Sequence, residues 1–118
     1  MSRAERVAEQ IKMIVSGIIS KDLKDPGIGF TTITKVSVST DIKNASLYIS
    51  VLGNEKQKIS TMEALERATG FIKNILGQKL KLRLVPKINF IYDDSLEKAS
   101  RVWNLINKIN EQDSRKNT

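Results

Sequence analysis

Between Phe30 and Val51 the chain carries two runs of alternating residues, and this pattern restricts the fold more than any other feature. Thr34, Val36 and Val38 alternate with Lys35, Ser37 and Ser39. Ala45, Leu47, Ile49 and Val51 alternate with Ser46, Tyr48 and Ser50. A period of two places one set of side chains on each face of a strand, so both runs read as half-buried strands. The first spans Phe30 to Ser39. The polar segment Thr40-Asp41-Ile42-Lys43-Asn44 reads as the hairpin connection, and Gly53-Asn54 closes the second strand.

On either side the period changes. Over residues 2–23, Val7, Ile11, Ile14, Val15 and Ile18 make one helical stripe, with Ser2 and Glu5 as a capping box. Asp25-Pro26-Gly27 ends that helix. After the hairpin, Ser60 and Glu63 suggest a second capping box, opening a helix that runs to Ala68 or Thr69. A further helical pattern continues from Gly70 to about Leu80 or Leu82, with Leu65, Ala68, Ile72, Ile75, Leu76 and Leu80 on one side. Ile88, Phe90 and Tyr92 form a third strand after Pro86, and Asp93-Asp94-Ser95 breaks it, a turn and helix cap with Ser95 as N-cap. A last helix spaces Leu96, Ala99, Val102, Trp103, Ile106 and Ile109 for packing, so Trp103 reads as a packing residue rather than a base-stacking one. The order is helix, strand, strand, helix, kink, helix, strand, helix. It predicts an α+β sandwich with helices on one face of a small sheet. The crossover is expected to set the third strand beside the first, parallel to one neighbour. Residues 1–110 read as one domain and 111–118 as a short polar tail that frays.

Charge is placed rather than spread. From Arg67 to Tyr92 there are six basic residues (Arg67, Lys73, Lys79, Lys81, Arg83, Lys87) and no acid, which accounts for nearly all of the formal net charge of +7. A one-signed field of this kind attracts a polyanion. Within it, Gly70, Lys73, Asn74, Gly77, Gln78 and Lys81 share one helical face opposite the apolar one, where lysines suit phosphates and amides suit phosphate, sugar or base. Lys79 falls on the apolar side of an ideal helix, so it either snorkels or marks the end of regular helix. Arg3, Arg6 and Gln10 lie near one face of the first helix, either on RNA or in solvent. Glycine inside a helix costs about 1 kcal/mol relative to alanine, which a kink or a close backbone approach to a ligand would explain, and Ala68-Thr69-Gly70 reads as a structural kink more than a direct contact. There is no histidine and no cysteine. Disulfides and thiolate metal sites are excluded, and the commonest general base is missing. No catalytic or metal site is expected. No apolar run approaches the roughly 18–20 residues of a membrane span, and the N-terminus lacks the apolar stretch of a secretory signal, so a cytoplasmic protein without membrane contact is expected.

The chain resembles the ribosome-binding factor A family. The resemblance rests on Arg6-Val7-Ala8-Glu9-Gln10-Ile11, Leu23-Lys24-Asp25-Pro26, Val36-Ser37-Val38-Ser39, Ser50-Val51-Leu52-Gly53, Arg67-Ala68-Thr69-Gly70-Phe71-Ile72, Leu80-Lys81-Leu82-Arg83 and Tyr92-Asp93-Asp94-Ser95-Leu96-Glu97-Lys98, in order over nearly the whole length. It implies a KH-like domain of type II order with a C-terminal helix, in which an Ala-x-Gly kink replaces the usual GxxG loop. It also implies a non-enzymatic RNA-binding factor, without a cofactor and monomeric when free, whose partner is the small ribosomal subunit and its 16S rRNA. Such a factor aids late maturation and end-processing of that RNA, and supports growth in the cold. The rival readings are a general KH-type RNA-binding protein and a protein-interaction adaptor unconnected with the ribosome.

Overall fold

The computed structural model describes residues 1–116 apart from Lys24, and the backbone alone for 112–116. The elements are α1 (Arg3–Gly17), a π-helical turn (Ile18–Asp22), β1 (Phe30–Val38), β2 (Asn44–Leu52), α2 (Glu55–Arg67), α3 (Thr69–Lys79), β3 (Lys87–Tyr92) and α4 (Ser95–Lys116). The order is that of the KH-like α+β fold. Ala45, Leu47, Ile49 and Val51 of β2 turn inward against Val7, Ile11 and Val15 of α1, Leu65 of α2, and Ile72 and Leu76 of α3. Each such valine, leucine or isoleucine side chain, once buried, contributes roughly 1.5–3 kcal/mol. Thr32, Ser37, Lys35 and Ile91 lie on the other, exposed face.

The sheet order is β1-β2-β3, with β1 antiparallel and β3 parallel to β2. The third strand is therefore parallel to its neighbour as expected, but that neighbour is β2 and not β1. The α2–α3 crossover packs on the face it leaves and returns to the nearest free edge, which belongs to β2. Reaching β1 would mean passing over β2. Strict alternation also fails once. The register between β1 and β2 shifts between Ile33 and Lys35, which makes Thr34 the extra residue of a bulge. Its hydroxyl is 2.5 Å from Asp93 Oδ2, which ties β1 to the segment after β3.

Helix ends differ from the sequence pattern for local reasons. The first helix widens into the π-helical turn at Ile18, where Leu23 N–H donates to Ile18 O, instead of running regularly to residue 23. At its start Ser2 Oγ accepts from Glu5 N–H at 3.1 Å. The box that opens α2 is Asn54 with Gln57, not Ser60 with Glu63. Asn54 Oδ1 accepts from Gln57 N–H at 2.8 Å, and Asn54 N–H donates to Gln57 Oε1 at 2.7 Å. Gly53, at φ +152°, makes this early start available, and a Cβ there would lie 2.4 Å from Gln57 Oε1. Ser60 instead donates to Gly27 O across the loop. At the last helix Lys98 N–H donates to Asp94 O, so Asp94 rather than Ser95 holds the cap position, while Asp93 Oδ1 accepts from Ser95 N–H.

α4 contradicts the packing expectation. Lys58 Nζ lies 2.7 Å from Glu97 Oε1, and Tyr92 Oη also donates to Glu97, so the first turn is anchored. From Lys98 to Glu111 every residue is exposed. Trp103 is 64% exposed. The helices α1 to α3 already cover the apolar sheet face, so an amphipathic stripe arriving last has nothing left to pack on. Among the described residues no helix is long and apolar enough to cross a membrane.

Candidate nucleic-acid interface

α3 sorts its residues by side. Ile72, Leu76 and Leu80 are buried, whereas Lys73, Asn74, Gly77 and Gln78 are exposed. That agrees with the polar face read from spacing. Lys79 is exposed and is the last helical residue, so it marks the helix end rather than snorkelling along the core. Because the helix stops there, Lys81 does not continue the helical row. It sits exposed in the segment that turns back along α3, where Val85 comes close to Gly77.

This return completes a cleft. Arg3 from the start of α1, Lys73 of α3, Arg83 and Lys87 line a cavity of about 410 Å³, together with Lys43 of the hairpin. Four of these five cations are foreseen from sequence. Lys43 is not, because it lies far from the basic segment along the chain and is brought in only when β3 docks on β2, with Lys87 N–H donating to Lys43 O at 2.8 Å. One acid, Asp41, lines the same cleft. Its Oδ1 accepts from Ser39 Oγ at 2.7 Å and from Lys43 N–H at 3.1 Å. The Ser39 bond first, and the Lys43 amide second, hold its pKa below the usual carboxylate value. The same turn holds Ile42 at φ +59°. For a β-branched residue the left-handed region costs roughly 1–2 kcal/mol.

The remaining candidates are placed differently. Arg67 is not in the cleft. Its Nη2 lies 3.1 Å from Asp25 Oδ2, over a shallow depression that Asp22, Ala68 and Phe71 also line. Phe71 and Lys73 are two residues apart, about 200° round the helix, so the depression and the cleft lie on different sides of α3. The Gly27 amide and the Arg67 guanidinium together lower the Asp25 pKa. Arg6 is exposed and reaches back to Met1 O. The kink is real but its hinge is Ala68, at φ −84° and ψ −3° between α2 and α3. Thr69 Oγ1 bonds back to Leu65 O. Gly70 has no positive φ, and a Cβ there would meet nothing within 4 Å. Its backbone does not need glycine, which corrects the reading of Gly70 as a structural necessity.

The Asp93-Asp94 pair is a turn and cap. Asp93 has its pKa lowered by the Thr34 hydroxyl and then by the Ser95 amide. Both interactions are structural.

A profile described as ribosome-binding factor A matches residues 3–106. The ribosome-binding factor A of Staphylococcus saprophyticus is 45% identical over 111 residues, which cover 94% of this chain and 97% of that one. The solution structure of a Thermotoga maritima protein described as a ribosome binding factor A superposes with a TM-score of 0.70 at 29% identity, covering 79% of this chain and 89% of that one. Coordinates of the Thermus thermophilus ribosome binding factor A, fitted into a cryo-EM map of a 30S complex, superpose with a TM-score of 0.65 at 24% identity, covering 79% and 97%. That last likeness is one of fold. Sequence and topology agree over almost the entire chain, and the protein belongs to the ribosome-binding factor A family.

Proposed function

We propose that this protein binds the small (30S) ribosomal subunit through its 16S rRNA and assists late maturation of that RNA. The observation that carries the reading is the cleft in which Arg3, Lys43, Lys73, Arg83 and Lys87 converge on one side of α3. Asn74, Gln78, Lys79 and Lys81 are exposed on α3 and just after it, and Arg6 is exposed on α1. Arg67 is the weakest member of the set, being engaged with Asp25. Family membership supports the partner, as does the 30S complex formed by the Thermus thermophilus relative.

The mechanism is one of binding rather than bond cleavage. Bound protein favours one RNA conformation by its difference in affinity for two. Nucleases that trim the precursor ends then act on the favoured fold. The protein works in the cytoplasm as a monomer, without a cofactor, and matters most in the cold, where RNA rearranges slowly. Co-sedimentation tests this. The protein is expected with free small subunits and not with translating ribosomes, and the pair Lys73→Glu and Lys87→Glu is expected to abolish association while the fold survives. Unchanged association of the folded double variant would remove the cleft from the reading.

A further inference from the structure

α4 leaves the body with its apolar stripe uncovered, and the apolar surface does not end at the helix. Ala99, Val102, Trp103 and Ile106 stand at i, i+3, i+4 and i+7, the spacing by which an amphipathic helix engages an apolar partner. Seven residues bring a helix to within about 20° of its starting direction, so Leu96 and Trp103 lie in line. Leu96 in turn lines a groove of about 510 Å³ with Phe30 of β1 and Leu52 of β2, which are opposite one another in the ladder. Phe30 is 82% and Leu52 79% exposed. Large apolar side chains this open, running from a sheet end onto a helix, mark an interaction surface. The angle between its two arms is held in the first turn of α4, where Glu97 engages both Lys58 of α2 and Tyr92 of β3.

We infer that this surface docks a second protein on the small subunit, one that lays the apolar face of an amphipathic helix into the groove and along α4. RNA does not suit it. The groove's one cation, Lys58, lies 2.7 Å from Glu97 Oε1, so a phosphate entering there meets a carboxylate and a cation already engaged. A second copy of the chain suits it little better. A coiled-coil seam is sustained over three or four heptads and fixed by complementary charges along its borders. Here the seam positions are Ala99, Val102, Ile106 and Ile109, and Lys98 is the one charge beside them. The groove lies at the open end of the β1–β2 hairpin, and the basic cleft lies at its turn end. β1 has nine residues, so roughly 25 Å separates the two. Both can be filled at once. A chain held on rRNA by the cleft presents the apolar surface to a protein neighbouring that RNA.

This inference rests on the RNA-binding reading, and the test separates the two. Affinity is measured for intact small subunits and for protein-free 16S rRNA. Val102→Gln with Ile106→Gln removes the stripe without adding charge or breaking the helix. Phe30→Thr removes a wall of the groove with a residue suited to a strand. All three positions are exposed, and circular dichroism checks the fold. Each variant is expected to bind intact subunits about tenfold more weakly than the wild type, and to bind the free rRNA within about twofold of it. Variants that bind subunits as the wild type does overturn the inference and leave RNA binding standing. An equal loss on subunits and on free rRNA also overturns it, by making α4 an RNA contact. A wild-type dimer in sedimentation equilibrium that the stripe variant breaks would assign the surface to a second copy. Flotation of the wild type, but not of the variants, with phosphatidylglycerol vesicles would assign it to a membrane, and either result overturns the inference. Failure of the wild type to bind both subunits and free rRNA overturns the underlying reading.

Discussion

The cleft supports a quantitative forecast of salt dependence. Five cations line it, so at most five phosphates are neutralised there. Each neutralised phosphate of a single strand adds about −0.7 to the slope of log affinity against log salt. The wild-type slope is then about −3.5, and raising salt from about 50 to about 200 mM weakens binding roughly 100-fold. Removing two cations by Lys73→Ala with Lys87→Ala lowers the slope to about −2.1. Arg67→Ala is the control. Arg67 pairs with Asp25 on another side of α3, so its loss is expected to leave the slope unchanged. Anisotropy titrations with a single-stranded oligonucleotide at four or five salt concentrations supply the measurement. A wild-type slope shallower than about −1 would refute the phosphate count. So would a double variant, folded by circular dichroism, that keeps the wild-type slope, or an Arg67→Ala protein that loses more slope than the double variant.

Gly53→Ala is expected to destabilise the protein by about 1–3 kcal/mol, since it forces a Cβ into the left-handed region and against Gln57. Gly70→Ala is expected to be neutral or to stabilise by about 0.4–1 kcal/mol, and thermal melts of the two variants check both directions. A Gly70→Ala protein with unchanged melting temperature and weakened RNA binding would identify this position as one where a ligand backbone approaches closely. Asp25, Asp41, Asp93 and Glu97 all have lowered pKa values in the fold. Their contribution to stability is therefore complete above the ordinary carboxylate range near pH 4 and is lost as pH falls through their lower folded values. Melting temperatures measured from about pH 7 to about pH 2.5 are expected to stay level to about pH 4.5 and then fall, with a shallower fall in Asp93→Asn.

How much of this was legible in the chain depended on whether the deciding contact was local. The alternation through Val36, Val38, Leu47 and Ile49 marked the hairpin because period two has a single structural meaning. The polar face of α3 was legible for the same reason. The bulge at Thr34 was not, since Thr34, Val36 and Val38 alternate as in a regular strand, and the change of parity shows only once Ile33 and Val36 are seen to face the same side. The partner of β3 was hidden because the spacing of Ile88, Phe90 and Tyr92 is the same beside either edge. Two capping boxes competed at the start of α2, and the φ of Gly53 decided in favour of Asn54. Lys43 entered the cleft through pairing between β2 and β3, which no local pattern encodes. The spacing of Val102, Trp103 and Ile106 describes an apolar stripe, but whether a stripe is covered depends on what else has already claimed the sheet.

Trp103 is the chain's one tryptophan, and it lies on the part of α4 that leaves the body. As an optical probe it is separated from the core. Its indole is already largely in water in the native protein, so its emission is expected to change little while Ile49 and Leu76 pass from buried to exposed. A denaturation curve followed by fluorescence would then fail to coincide with one followed by circular dichroism, even for a body that unfolds in a single step. The same isolation makes the residue a clean reporter of events at the helix. Anything that covers α4 shifts the emission toward the blue and leaves the spectroscopic signature of the core untouched.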